Sequence, residues 1–75
     1  MPRLPVVSGR QLVRALQRAG FEEVRQKGSH AILIHRARNL VTVVPVHGSK
    51  DLPPGTLSAI MRDTGLTADD LRELL

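Results

Sequence analysis

His30 stands at the end of a short basic stretch, Gln26-Lys27-Gly28-Ser29-His30, immediately before the apolar run Ala31-Ile32-Leu33-Ile34. Imidazole can both take and give a proton near neutral pH, because an unperturbed histidine titrates at about 6.5. A glycine turn leaves one side of the ring uncrowded, and Lys27 and Arg25 supply cations suited to a phosphate. On these residues alone two uses of His30 stay open: a passive hairpin residue, or a proton-transfer group beside a bound anion. His47, flanked by Gly48 and close to Lys50, is the second candidate for proton transfer or phosphate binding. His35, between apolar residues and Arg36, reads as structural. Because His30 and His35 are five positions apart on one strand-like segment, an odd number, they point to opposite faces and cannot share an ion. The chain has no cysteine to complete a site, so neither a metal centre nor a cofactor is expected.

The elements that hold these residues are legible from periodicity and punctuation. Ser8 precedes Gln11 by three positions, the spacing of a reciprocal N-terminal cap. Leu12, Ala15, Leu16 and Ala19 then recur at helical spacing up to the stop at Gly20, while Arg10, Arg14 and Arg18 form a stripe on roughly the opposite face. Three β-prone segments follow, at about 22–27, 30–35 and 40–46. Gly28-Ser29 predicts a two-residue type II′ hairpin, and the polar connection 36–39 completes an antiparallel meander. The second and third strands are apolar on both faces, which predicts one face under helices and the other covered by a partner or by a second copy in a homodimer. Pro53-Pro54 opens a further helix ending at Gly65, and Thr67 caps a short last one with Ala68, Leu71, Leu74 and Leu75 inward. The expected fold class is α+β, in the order helix, three strands, helix, short helix, as a single domain over residues 1–75.

Charge is distributed unevenly. Residues 1–21 carry four bases and no acid, residues 22–50 five bases and two acids, and residues 51–75 two bases and five acids, which sum to the net +4. A basic first two thirds is suited to a polyanion, since neutralising phosphates releases counterions; it is equally compatible with an ordinary solvated surface. No apolar run is long enough for a signal peptide or a membrane span, and the absence of cysteine fits a reducing setting, so a soluble, cytoplasmic protein without membrane contact is expected.

Three spaced motifs narrow the field: Gln26-Lys27-Gly28-Ser29-His30, Val44-Pro45-Val46-His47-Gly48, and Gly55-Thr56-Leu57 with Ile60, Gly65 and Leu66. Together they resemble the HicA (YcfA-type) family of small toxins from prokaryotic type II toxin–antitoxin systems, in order over nearly the whole chain. The resemblance implies a double-stranded-RNA-binding-domain-like fold with a three-stranded antiparallel sheet and helices on one face. It implies a metal-independent endoribonuclease acting on mRNA, an mRNA interferase, neutralised by an antitoxin of the HicB family. It places the catalytic histidine at His30, with Gly28 and Ser29 shaping the turn that presents it. On that basis His30 is expected to activate a ribose 2′-hydroxyl beside Lys27 and Arg25, with His47 as the second proton-transfer or phosphate group. Arg14, Arg18 and Lys50 are expected to contact the RNA backbone. A non-catalytic RNA-binding module of the same fold is the alternative. The chain departs from the family in having Ala31, Ile32 and Leu33 where aromatic residues often follow the motif; its one aromatic is Phe21.

Overall fold

The computed structural model describes residues 3–75; Met1 and Pro2, the first residues of the expected 1–75 domain, lie outside them. Helix α1 (Gly9–Arg18) begins with the anticipated reciprocal cap. The Gln11 N–H donates to Ser8 Oγ at 3.2 Å and the Ser8 N–H donates to Gln11 Oε1 at 2.9 Å. Each bond satisfies a backbone donor that the first turn would leave orphaned. Leu12, Val13, Ala15 and Leu16 are buried, so the apolar face is one residue wider than the Leu-Ala stripe predicts. Ser8→Ala is expected to destabilise the fold by about 1 kcal/mol in chemical denaturation, the usual cost of losing an N-cap side chain.

Strands β1 (Glu22–Lys27), β2 (His30–His35) and β3 (Leu40–Pro45) form an antiparallel sheet in the order β1-β2-β3. The predicted meander is therefore present, with β3 ending at Pro45 rather than Val46. Gly28 has φ 58° while Ser29 is not among the residues with positive φ, and Lys27 pairs with His30. Positive φ at the first central position only is the signature of a type II′ turn.

Helix α2 (Pro54–Thr64) starts behind Pro53 and ends at Gly65 in the left-handed conformation, φ 74°. Helix α3 (Ala68–Leu74) is capped by Thr67, which exchanges hydrogen bonds with Asp70. Ala68 and Leu71 are buried and Leu74 half-buried, but Leu75, expected inward, is 45% exposed. The core joins Leu12, Leu16, Phe21, Leu33, Val44, Leu57 and Leu71. Both α1 and α2 pack on the sheet face bearing Ala31, Leu33, Thr42 and Val44. The architecture is α+β with helices on one face, consistent with the double-stranded-RNA-binding-domain-like expectation. Among the described residues no helix is long and apolar enough to cross a membrane.

The Thr67 backbone N–H, and then its hydroxyl, hold the Asp70 carboxyl below the ordinary carboxylate range. A depressed folded-state value contributes stability above the unfolded carboxylate pKa of about 3.9 and loses it as pH falls through the lower folded value. Thr67→Val removes the hydroxyl bond, so the Asp70 carboxyl carbon is expected to titrate at higher pH by NMR than in the unmodified chain.

A feature invisible to periodicity fixes the loop after β3. The Leu52 N–H donates to the Val7 carbonyl at 2.7 Å, and Ser8 forms an isolated antiparallel bridge with Asp51. The N-terminal segment thereby pins residues 51–52 beside the start of α1.

Candidate functional site

Directly opposed residues of an antiparallel pair share a face, so the register decides which side chains meet around His30. On β2, Ala31 and Leu33 are buried under the helices, which turns His30, Ile32 and Ile34 to the open face. On β1, Glu22 opposes Ile34 and Glu23 opposes Leu33, and then Arg25 rather than Val24 opposes Ile32. Val24 is thus the extra residue of a β-bulge. Strict alternation from Glu22 would have carried Val24 and Gln26 onto the open face; the bulge instead brings Arg25 and Lys27 there. Both cations are exposed on the same side as His30, and Lys27 is its direct cross-strand partner.

The β3 end of the sheet brings His47 to the same corner. His30 opposes Pro45, and the ladder continues as the Val46 N–H donates to the Ser29 carbonyl at 2.6 Å. His47 follows directly, exposed just beyond the end of β3. Val46 packs against the core, which turns the next residue outward. The two histidine Cα atoms lie within roughly 13 Å, from a strand-pair spacing of about 5.5 Å and two residues at about 3.5 Å each. A tight turn, in which the Lys50 N–H donates to the His47 carbonyl at 3.0 Å, then leads to the pinned segment 51–52. The loop 47–50 is therefore held at both ends, and His47 and Lys50 are exposed on it.

His30 is exposed at the strand end, and the only histidine ring in a hydrogen bond among the described residues is that of His35. His35 lies on the helix side, edge-on to Phe21 at 5.2 Å between ring centroids, and its Nδ1 accepts the Arg38 N–H at 3.2 Å. The two rings thus face opposite sides, as their odd spacing predicts, and His35 has the structural role expected of it. Among the described residues no three His, Cys, Asp or Glu side chains come together as a metal cluster.

The arginine stripe of α1 divides. Arg14 is exposed on the helix side of the His30 corner, where it borders a groove with Arg10, Gly48 and Ser49. Arg18 is at the far end of the helix, and its Nη1 donates to the Leu74 carbonyl at 2.7 Å, closing the C-terminus of α3. The expectation that it serves alongside Arg14 has to contend with this long-range tie. Arg10 lines the same groove as Arg14, a position the basic stripe signalled without distinguishing its members. Only Arg36 and Arg72 form ion pairs among the described residues, with Glu22 and Asp69, so Arg10, Arg14, Arg25, Lys27 and Lys50 keep their charge available.

The open face beside this corner is apolar. Ile32 and Ile34 are half-buried, while Val41 and Val43 on edge strand β3 are 57% and 44% exposed. Compared with known protein families, residues 9–66 match the sequence model described as HicA toxin of bacterial toxin-antitoxin. A comparison with curated proteins finds no significant match. The matched span takes in α1, the whole sheet, the 47–50 loop and α2.

Proposed function

The chain belongs to the HicA toxin family of bacterial toxin–antitoxin systems, and from that premise we propose that it is an endoribonuclease that cleaves mRNA with His30 as its proton-transfer group. The observation that carries this reading is the corner itself: an exposed imidazole with Lys27 directly across the ladder and Arg25 on the same face. RNA carries its own nucleophile, so the protein has three tasks. It must remove the 2′-hydroxyl proton, stabilise the charge developing on phosphorus, and return a proton to the departing oxygen. His30 takes the 2′ proton as the 2′-oxygen bonds to phosphorus. Lys27 and Arg25 stabilise the additional negative charge on the phosphoryl oxygens. The bond from phosphorus to the 5′-oxygen breaks, and in this reading His47 protonates that oxygen. The products are a 2′,3′-cyclic phosphate and a 5′-hydroxyl, and no step requires a metal.

Membership of a toxin–antitoxin family implies an antitoxin partner. In this reading it is a HicB-family protein that inhibits by covering the His30 corner. The adjoining Val41 and Val43 give such a partner apolar surface to bury, and Arg25 and Lys27 give its acidic groups a counterpart.

The deciding experiment is to incubate the protein with RNA in EDTA and identify the new ends. Cyclic phosphate with 5′-hydroxyl is the expected result; 5′-phosphate ends overturn the scheme. RNA bound without cleavage would make the protein a binding module of the same fold.

A further inference from the structure

On the helix side of the same corner, a groove of about 500 Å³ runs between the first two turns of α1 and the Gly48–Ser49 turn, with Arg10 and Arg14 along one wall. A narrower cleft of about 130 Å³ shares those arginines and extends to Gln26 and Val46, the neighbours of Lys27 and His47. The arginine groove is therefore continuous with the hairpin that bears His30. Four positions apart on a helix, Arg10 and Arg14 are displaced by about 6 Å along its axis, so they can grip neighbouring phosphates of one extended strand. Asp51 and Glu23 stand at the margins, but neither is in ion-pair contact with an arginine among the described residues. Arg18, tied to the Leu74 carbonyl, borders a further depression with Gln11, Arg14 and Leu75 at the other end of the helix.

We propose that the groove of Arg10, Arg14 and the Gly48–Ser49 turn is a phosphate-binding subsite for single-stranded RNA next to the cleaved bond. The substrate rounds the end of the sheet, from His30 on the open face to α1 on the other, and does not extend along the helix to Arg18. A single strand fits this path because it must bend around the sheet's end and because attack by the 2′-oxygen in line with the leaving oxygen needs a flexible backbone. The inference rests on the reading that His30 cleaves RNA, and its test separates the two.

Binding is measured against salt with a single-stranded RNA whose 2′-hydroxyls are methylated, so that no cleavage intervenes. Every phosphate of a single strand that the protein neutralises contributes about 0.7 to the slope of log affinity against log salt. The Arg10→Ala/Arg14→Ala protein is expected to show a slope shallower by about 1.4 by the same rule, with Arg18→Ala retaining the wild-type slope. A slope unchanged by the double substitution, or lowered as much by Arg18→Ala, overturns the proposal. Both arginines are exposed, so the fold should survive; the glutamine pair Arg10→Gln/Arg14→Gln gives the same readout if the alanine pair aggregates. In a parallel arm, the wild-type preference for a long strand over a dinucleoside monophosphate should fall in the double variant. No cleavage of either substrate by the wild type would refute the nuclease reading, and the salt slope would still decide the groove.

Discussion

His30→Ala is expected to slow RNA cleavage by roughly 10²- to 10⁴-fold, the range supplied by one positioned acid–base group, while RNA binding and the thermal midpoint stay close to wild type. Separation of the two effects follows from where the ring sits. His30 is exposed at a strand end, and its backbone, not its side chain, makes the ladder to Lys27 and Pro45. Exposed substitutions away from caps and cores usually change stability by less than about 0.5 kcal/mol, so a large loss of rate cannot come from unfolding. His35→Ala is the contrast: it removes the ring packed on Phe21 and the acceptor of the Arg38 N–H, and it should lower the midpoint. Adding free imidazole to the His30→Ala protein should restore part of the cleavage, which a merely structural histidine would not allow. Undiminished cleavage by His30→Ala would end the assignment.

The helices and the meander could be read from the sequence because each of their signals is local. The Ser8–Gln11 and Thr67–Asp70 caps lie within a single turn, and Gly28 and Gly65 take positive φ where their turns demand it. What the sequence hid is set by distant parts of the chain. Nothing in Glu22-Glu23-Val24-Arg25-Gln26-Lys27 marks Val24 as a bulge, for the run has no glycine and reads equally well as regular alternation. Yet that bulge puts Arg25 and Lys27, in place of Val24 and Gln26, beside His30. Likewise periodicity makes Arg10, Arg14 and Arg18 equivalent. They become different only because Leu74, 56 residues along the chain, engages the last, and because the Val7–Leu52 pairing swings Gly48 and Ser49 to the first two. The candidate residues can be named one by one from the sequence; their grouping requires the fold.

Gly9→Ala sets a local rule against a long-range one, and the long-range one should win. In a helix, alanine is favoured over glycine by up to about 1 kcal/mol, so propensity alone predicts a more stable protein. Gly9 does not have positive φ, and its backbone conformation would accept a side chain. The space would not. A Cβ there would stand 3.0 Å from the Pro45 carbonyl carbon and 3.1 Å from Val46 Cα, and closer still to the Pro45 oxygen. These are backbone atoms that cannot turn aside, since Pro45 is paired to His30 and the Val46 N–H to the Ser29 carbonyl. Overpacking of this kind typically costs about 1–3 kcal/mol, which exceeds the propensity gain over most of its range. At about 4–8 °C per kcal/mol for a domain of this size, the midpoint should drop measurably. Relief can come only by moving α1, which strains the Ser8–Asp51 bridge, or by moving residues 45–48, which carries His47 and the Gly48–Ser49 wall away from His30 and Arg14. The Gly9→Ala protein is therefore expected to be both less stable and, at temperatures where it remains folded, a weaker nuclease, although Gly9 is buried and carries no side chain to offer the substrate. A midpoint at or above wild type would show that the start of α1 and the end of β3 can separate without consequence, and would remove the reason for treating that junction as what holds the two halves of the site together.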